Sequence, residues 1–391
     1  MIKYEDAYNI IINSAIRLKT ERIDFEESVN RILAEDICAD MDMPPFNKSA
    51  MDGYACRRCD LSEILTVIED IPAGRLPQKS ISARQCAKIM TGAPVPDGAD
   101  CVIMVESTEV VSDNQIRFTA KHSEDNICIK GEDIRQGTTV LSKGELITPA
   151  YIAVLATVGC TTPLVSVQPR VALMATGSEL VSPSDKADGA KIRNSNSYQI
   201  AAQLRQMGAI VNYYGIIEDQ YEATVDAIAV AMEKNDLVLV SGGVSMGDYD
   251  FVPAALKENG FELLFESVAM QPGRPTIFGR NGDTYCFGLP GNPVSTFVVV
   301  EIMVKPFLTT IMGGEPHPIM VEKILDKTIS RRKSNRQSTV PIRFTSPTKA
   351  TPIEYHGSAH INALTKADGL FTIPAGITEV PQGSRIKVRL I

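Results

Sequence analysis

Three short segments combine glycines, hydroxyls and carboxylates in a way that could do chemistry. They are Thr176-Gly177-Ser178-Glu179-Leu180, Ser241-Gly242-Gly243-Val244-Ser245-Met246-Gly247-Asp248, and Leu289-Pro290-Gly291-Asn292-Pro293. Glycine lets backbone N–H groups approach an anion closely, and a helix N-terminus adds partial positive charge. In the third segment Asn292 suits a helix cap and Pro293 the first helical position. Neither a Walker pattern nor G-x-G-x-x-G is present, which disfavours an ordinary P-loop NTPase or dinucleotide enzyme. Carboxylates gather on the same stretches: Glu179, Glu218, Asp219, Asp248 and Asp250. Some are expected to cap helices. The remainder suit Mg²⁺, which bridges one or two carboxylates to phosphate oxygens. An acidic pocket lined by anion-binding loops makes chemical sense when a cation joins the two.

Further upstream lie two dense motifs, FNKSAMDGYA around Asp52 and MTGAPVPDGADCVIMVE from Met90 through Thr91, with Gly131-Glu132-Asp133-Ile134 as a third loop. On residue type alone, structural turns are an equal reading of these.

The loops need a scaffold. From 170 to 313 apolar runs at 171–175, 210–214, 237–240 and 284–288 alternate with helical stretches at 198–207, 221–232, 251–258 and 293–307. That alternation predicts a parallel sheet covered on both faces, with ligands beyond the carboxyl ends of its strands. Tyr4, Ala7, Tyr8, Ile11, Ile12, Ala15 and Ile16 fall on one helix face, and a second helix is expected over 25–33. From 43 to 137 frequent prolines and glycines separate short β-branched runs, predicting an all-β insert. Helical text returns at 149–158, where the N-terminal helix is expected to find its partner. After Pro316 the chain reads as a small β domain.

Composition bounds the function. The 391 residues predict two or three domains at roughly 150 residues each. A net charge of −8 argues against a duplex-binding face, and the basic stretch Arg331, Arg332, Lys333, Arg336 reads as solvated surface. The start, MIKYEDAYNI, lacks a basic region followed by an apolar run and so does not read as a signal peptide. The apolar stretches at 150–158 and 294–304 fall short of the ~18 residues a membrane span needs. Eight scattered cysteines with one close pair, Cys56 and Cys59, and only four histidines disfavour a zinc site and suggest a reduced, cytoplasmic protein with free thiols.

FNKSAMDGYA, MTGAPVPDGADCVIMVE, GEDIRQG, ATGSELV, SGGVSMGDYD and FGLPGNPVS stand here in the order and rough spacing of one family. The chain resembles the molybdopterin molybdenumtransferases, the MoeA-type enzymes related to the gephyrin E domain, over nearly its whole length. The resemblance implies a multidomain α/β plus β fold. It comprises a discontinuous helical domain (1–42 and 138–168), an inserted β domain (43–137), a three-layer α/β molybdopterin-binding domain (169–314) and a C-terminal β-barrel (315–391). It implies insertion of molybdenum from molybdate into adenylylated molybdopterin, with release of AMP and Mg²⁺ assistance. Glu179, Asp219 and Asp250 match the family's acids, the expected metal ligands; Pro290 and Pro293 match its LPGNP loop. Asp52, Thr91 and Asp133 match functional positions of the inserted domain. The family works as a homodimer whose cleft is shared between subunits, so Asp52 and Thr91 would act in trans. Thr176, Gly177, Ser178, Ser241, Gly242, Gly243, Ser245, Gly247, Gly291 and Asn292 would hold the pterin and its phosphates. No nucleic-acid or membrane partner is implied.

Departures from the family pattern are informative. Ser267 and Gln271 stand where basic residues are usual, leaving Arg274 and Arg280 to supply charge to an oxyanion, for which a guanidinium fork is suited. Asn194 replaces a common Asp. Tyr355-His356-Gly357-Ser358 resembles the family's glycine-serine turn. Two rivals are a pterin adenylyltransferase, for which a lone α/β domain would suffice, and a non-catalytic pterin-binding scaffold.

Overall fold

The computed structural model describes residues 1–245, 247, 250–353 and 360–391. Its backbone forms two compact units, one of Met1–Glu35, Lys143–Thr148 and Leu164–Ile391, the other of Asp36–Ser142 and Pro149–Pro163. Asp248 and the segment 355–358 lie outside the described residues.

The first unit is built on a six-stranded sheet in the order Ile210–Ile217, Arg170–Thr176, Leu237–Ser241, Thr284–Leu289, Ile277–Asn281, Glu262–Phe265. The first four strands are parallel. Ile277–Asn281 runs antiparallel to both its neighbours, where the sequence pattern suggested only parallel strands, because a tight turn at Gly282 joins it directly to Thr284–Leu289, and Glu262–Phe265 beyond it again runs with the first four. Apolar residues alternate between two faces. Val171, Leu173, Leu239 and Phe287 pack under Ile200, Leu204, Val298 and Phe307. Ala172, Met174, Val238 and Val240 pack under Ile228, Ala231, Val252 and Leu256 on the opposite face. Two helical layers therefore cover a central sheet, which is the three-layer arrangement that buried parallel strands require.

The N-terminal helix Tyr4–Ser14 buries Ala7 and Ile11 in the first of these cores, alongside Phe307 and Ile311. The expected helix over 25–33 is only a single 3-10 turn, Phe25–Glu27, capped by the Asp24 carboxylate. Asn30 at φ 65° ends any helical path, and Ile32 and Leu33 then bridge to Leu146 and Val165.

Helical backbone runs from Pro293 to Ile311, long and apolar enough by composition to cross a membrane, yet 78% of that stretch is buried inside the protein. A π-helical turn at Val300–Val304 interrupts it. Buried Glu301 sits within that turn, paired with Lys305 and accepting from Gln203 Nε2, so the core's one charged side chain in this helix is neutralised locally.

Toward the C-terminus, Gln337–Phe344, Lys349–Pro352, Met320–Leu325, Arg385–Leu390 and Gly369–Ile373 pair in sequence, and the last closes on the first. The result is a five-stranded barrel filled by Leu325, Ile342, Ala350, Ile373, Ile386 and Val388. Closure leaves these strands without free edges. Arg331 is more than solvated surface, since its guanidinium donates to the carbonyls of Arg336, Pro374 and Ile377.

The second unit holds another six-stranded sheet, in the order Cys101–Met104, Gly53–Cys56, Gln85–Ile89, Ile64–Ile71, Gln115–Phe118, Thr108–Ser112. Gly53 lies opposite both Ile89 and Met104. That register delivers Asp52, just before one strand, and Thr91, just after its neighbour, to the same end of the sheet.

Candidate functional site

Strand register also explains a cavity at the carboxyl ends of these strands. Ala175 lies opposite Ser241, and Ser241 opposite Leu289, so three adjacent parallel strands end level with one another. Their loops emerge side by side. The chain leaves Arg170–Thr176 toward one side of the sheet and returns at Leu237–Ser241 on the other, which makes the gap between these strands the topological switch point where such sheets bind ligands.

A cavity of about 660 Å³ opens there. Of the residues singled out in the sequence, Thr176, Gly177, Glu179, Asp219, Ser241, Gly242, Gly243, Ser245, Asp250, Pro290, Gly291, Asn292 and Pro293 line it. Ser178 and Gly247 do not line it but bond to residues that do: Ser178 N donates to Asp219 Oδ2 at 2.5 Å, and Gly247 N donates to Asp250 Oδ2 at 2.7 Å. Each of these carboxylates thus spends one oxygen on fixing a neighbouring loop, and among the described residues no hydrogen bond engages the other.

The glycines are required by close approach. Gly242 and Gly243 have φ of 95° and 63°, a region side chains rarely adopt. A Cβ on Gly242 would stand 2.4 Å from the Thr176 carbonyl oxygen, and one on Gly243 would stand 2.6 Å from Thr176 Oγ1. Thr176, although nearly buried, has no hydrogen-bond partner for that hydroxyl among the described residues. An orphaned hydroxyl in a cavity wall is a group that a ligand or water can satisfy.

Asn292 occupies the cap position of the helix Pro293–Val299, but its side chain makes no capping bond. Thr296 ties down this turn instead, donating from Oγ1 to the Pro290 carbonyl. The helix Asn196–Gln206 is capped from Asn194, whose Oδ1 accepts from Ser197 N at 3.1 Å. Its Nδ2 donates to Ser197 Oγ and to Tyr213 Oη, both at 3.0 Å. An aspartate could not supply those two donations, so the amide at this position is integrated into its surroundings. Sequence reading passed over Asn196, Arg193, Pro275 and Ile361, which also line the cavity.

Three predicted acids share this cavity, yet among the described residues no three His, Cys, Asp or Glu side chains are grouped closely enough to hold a metal. The arrangement therefore differs from an all-protein cage. It fits Mg²⁺ nonetheless, since that ion keeps several waters and takes only one or two carboxylates, the rest of its shell coming from substrate phosphates.

The predicted cations fall elsewhere. Arg274 is exposed and does not line the cavity, although its neighbour Pro275 does. Arg280 lies opposite Tyr285, which lies opposite Leu237 at the start of a parallel strand. It therefore sits toward the sheet's amino end, away from the loops, in an ion pair with Glu262. The expectation that Arg280 supplies charge to the oxyanion does not hold.

In the second unit Asp52 Oδ1 accepts from Thr91 N at 2.6 Å and from Thr91 Oγ1 at 2.9 Å. The Thr91 backbone bond, then its side-chain bond, holds the Asp52 carboxyl below its usual range. Asp133, in the loop where Gly131 N donates to Pro44 O, is exposed and fixed through its backbone N–H to the Met43 carbonyl.

Residues 2–159 match the MoeA N-terminal region (domain I and II), 172–310 the probable molybdopterin binding domain, and 329–391 the MoeA C-terminal region (domain IV). A molybdopterin molybdenumtransferase of Bacillus subtilis is 36% identical, covering 95% of this chain and 90% of that protein. The chain belongs to the molybdopterin molybdenumtransferase (MoeA) family. A Staphylococcus epidermidis relative of the same name is 36% identical over 100% of this chain and 95% of its own length. The crystal structure of a molybdopterin biosynthesis moeA protein from Pyrococcus horikoshii superposes with a TM-score of 0.86 at 29% identity, covering 100% of both chains. Family membership thus extends across both units and the barrel, beyond the α/β domain that would suffice for an adenylyltransferase.

Proposed function

We propose that this protein inserts molybdenum from molybdate into adenylylated molybdopterin and releases AMP, as a step of molybdenum cofactor biosynthesis. The observation that supports this most is the cavity at the switch point, where three level strand ends present glycine-rich loops and three carboxylates on a chain of this family.

The loops at Thr176–Gly177, Ser241–Gly243 and Pro290–Pro293 bind the pterin and its phosphates through backbone N–H groups and the free Thr176 hydroxyl. Glu179, Asp219 and Asp250 are the residues that would hold Mg²⁺. When bound, the ion neutralises phosphate charge and polarises phosphorus. Asp219 and Asp250 also orient the loops through the bonds to Ser178 and Gly247. Positioning of this kind supplies much of the rate in phosphoryl chemistry. Arg274 would attract molybdate as an exposed cation outside the cavity wall. Asp52, Thr91 and Asp133 act in the same reaction from the second unit, supplied by the other copy of a homodimer. The reaction is placed in the cytoplasm, where free thiols persist.

The test is product identity. Protein incubated with adenylylated molybdopterin, molybdate and Mg²⁺ is added to a metal-free molybdoenzyme. Restored activity of that acceptor is expected only when molybdate is present. Restoration without the protein, or equal restoration without molybdate, refutes the reading.

A further inference from the structure

The side-chain amide of Asn196 joins the loops of the cavity. Its Nδ2 donates to the Gly291 carbonyl at 2.7 Å and to Ser241 Oγ at 3.2 Å. One residue at the start of the helix Asn196–Gln206 thereby holds the end of the strand Leu237–Ser241 and the Leu289–Pro293 turn together, across sequence separations of 45 and 95 residues. The amide's orientation is fixed by chemistry: a carbonyl oxygen only accepts, so the nitrogen must face Gly291. Both amide protons are then committed, and Oδ1 has no donor among the described residues.

Ser241 is constrained in turn. Its oxygen accepts from Asn196, so its own proton is available for a second partner. Ser241 is 2% exposed, and both it and Asn196 line the cavity. The wall therefore offers, on adjacent residues, one acceptor (Asn196 Oδ1) and one donor (Ser241 Oγ–H). A phosphate presents only acceptors and cannot use that pair. The edge of a nitrogen heterocycle, with an N–H beside a carbonyl or ring nitrogen, can use both.

Resting on the transferase reading, we infer that Asn196 and Ser241 form a recognition pair that reads the donor–acceptor edge of the substrate's heteroaromatic ring, while Asn196 also fastens the loops. Two parts of an adenylylated pterin carry such an edge, the pterin pyrimidinone and the adenine, and the same pair would serve either.

The experiment uses the full chain without turnover, by calorimetric titration with unsubstituted pterin and, separately, with AMP. Asn196→Ala is expected to weaken binding of one of the two at least tenfold. Ser241→Ala, which leaves the Asn196–Gly291 bond in place, is expected to weaken the same one about three- to tenfold, the range of a single hydrogen bond. Loss confined to pterin assigns the edge to the pterin; loss confined to AMP assigns it to adenine. A wild type that binds neither, dissociation constants in both variants within twofold of wild type, or equal weakening of both ligands in both variants overturns the pair. If Asn196→Ala lacks the wild-type melting transition, Ser241→Ala decides alone by the same criteria. A wild type that binds the ring fragment but never releases AMP from the adenylylated pterin refutes the transferase reading and leaves the recognition pair standing.

Discussion

Asp52 accepts two hydrogen bonds on a single carboxylate oxygen, both from Thr91, one from its backbone and one from its hydroxyl. The pair sits where adjacent strands of the second unit deliver the two residues to one end of the sheet, and it holds the Asp52 carboxyl ionised to lower pH than usual.

Thr91→Ala should raise the Asp52 pKa toward the ordinary value of about 3.9, because the hydroxyl bond to the charged form is lost. A depressed carboxylate adds stability that is fully present above the unfolded value and is lost as pH falls through the folded one. The melting temperature of the variant should therefore lie below wild type at pH 7, with the gap closing as pH falls below the ordinary carboxylate range. Carbon-detected NMR titration of the Asp52 carboxyl checks the shift, and an unchanged pKa would count against it.

Asp250→Asn separates charge from geometry. The asparagine oxygen can still accept from Gly247 N, so the loop and the melting temperature should be retained. Loss of the negative charge should lower kcat by about 100-fold and blunt the response to Mg²⁺, the size expected when one charged group at a reacting centre is removed. Wild-type kcat with wild-type Mg²⁺ dependence would remove Asp250 from the site.

Gly243→Ala forces a methyl group to 2.6 Å from Thr176 Oγ1 at a φ of 63°. The strain should cost about 1–3 kcal/mol in urea unfolding and weaken ligand binding at the same time. A variant as stable as wild type would mean that the loop can relax away from Thr176.

Much of this was readable in advance, and the failures have physical reasons. The loops after Thr176, Ser241 and Leu289 were legible because glycine, proline and capping residues mark strand-to-helix turns locally. Asn196 was not, because its value lies in acceptors 45 and 95 residues away. Arg280 was misplaced because the strand bearing it runs antiparallel, which turns its end of the strand away from the loops. The 25–33 segment has helical periodicity, but Asn30 adopts a left-handed conformation that periodicity cannot register.

Thiol reactivity should follow burial. Cys38 and Cys59 are exposed, whereas Cys56, Cys86, Cys101 and Cys286 are buried, and burial pushes the Cys86 thiol up to about 12. Native protein treated with an alkylating reagent should label Cys38 and Cys59 first, by mass spectrometry, and the four buried thiols only after denaturation. Early labelling of Cys56 or Cys101 would contradict the packing of the second unit's sheet.

If Asp52 and Asp250 serve one active site from different copies, mixing inactive Asp52→Ala with inactive Asp250→Ala should restore about a quarter of wild-type activity, since random pairing leaves one intact site in half of the dimers. Absence of any recovery after subunit exchange would refute action in trans.

The central claim is tested most directly by AMP release from adenylylated molybdopterin, followed chromatographically with Mg²⁺ present and molybdate either added or withheld. The account predicts AMP release that depends on molybdate and falls about 100-fold in Asp250→Asn. Release at the same rate without molybdate, or none under either condition, would contradict it.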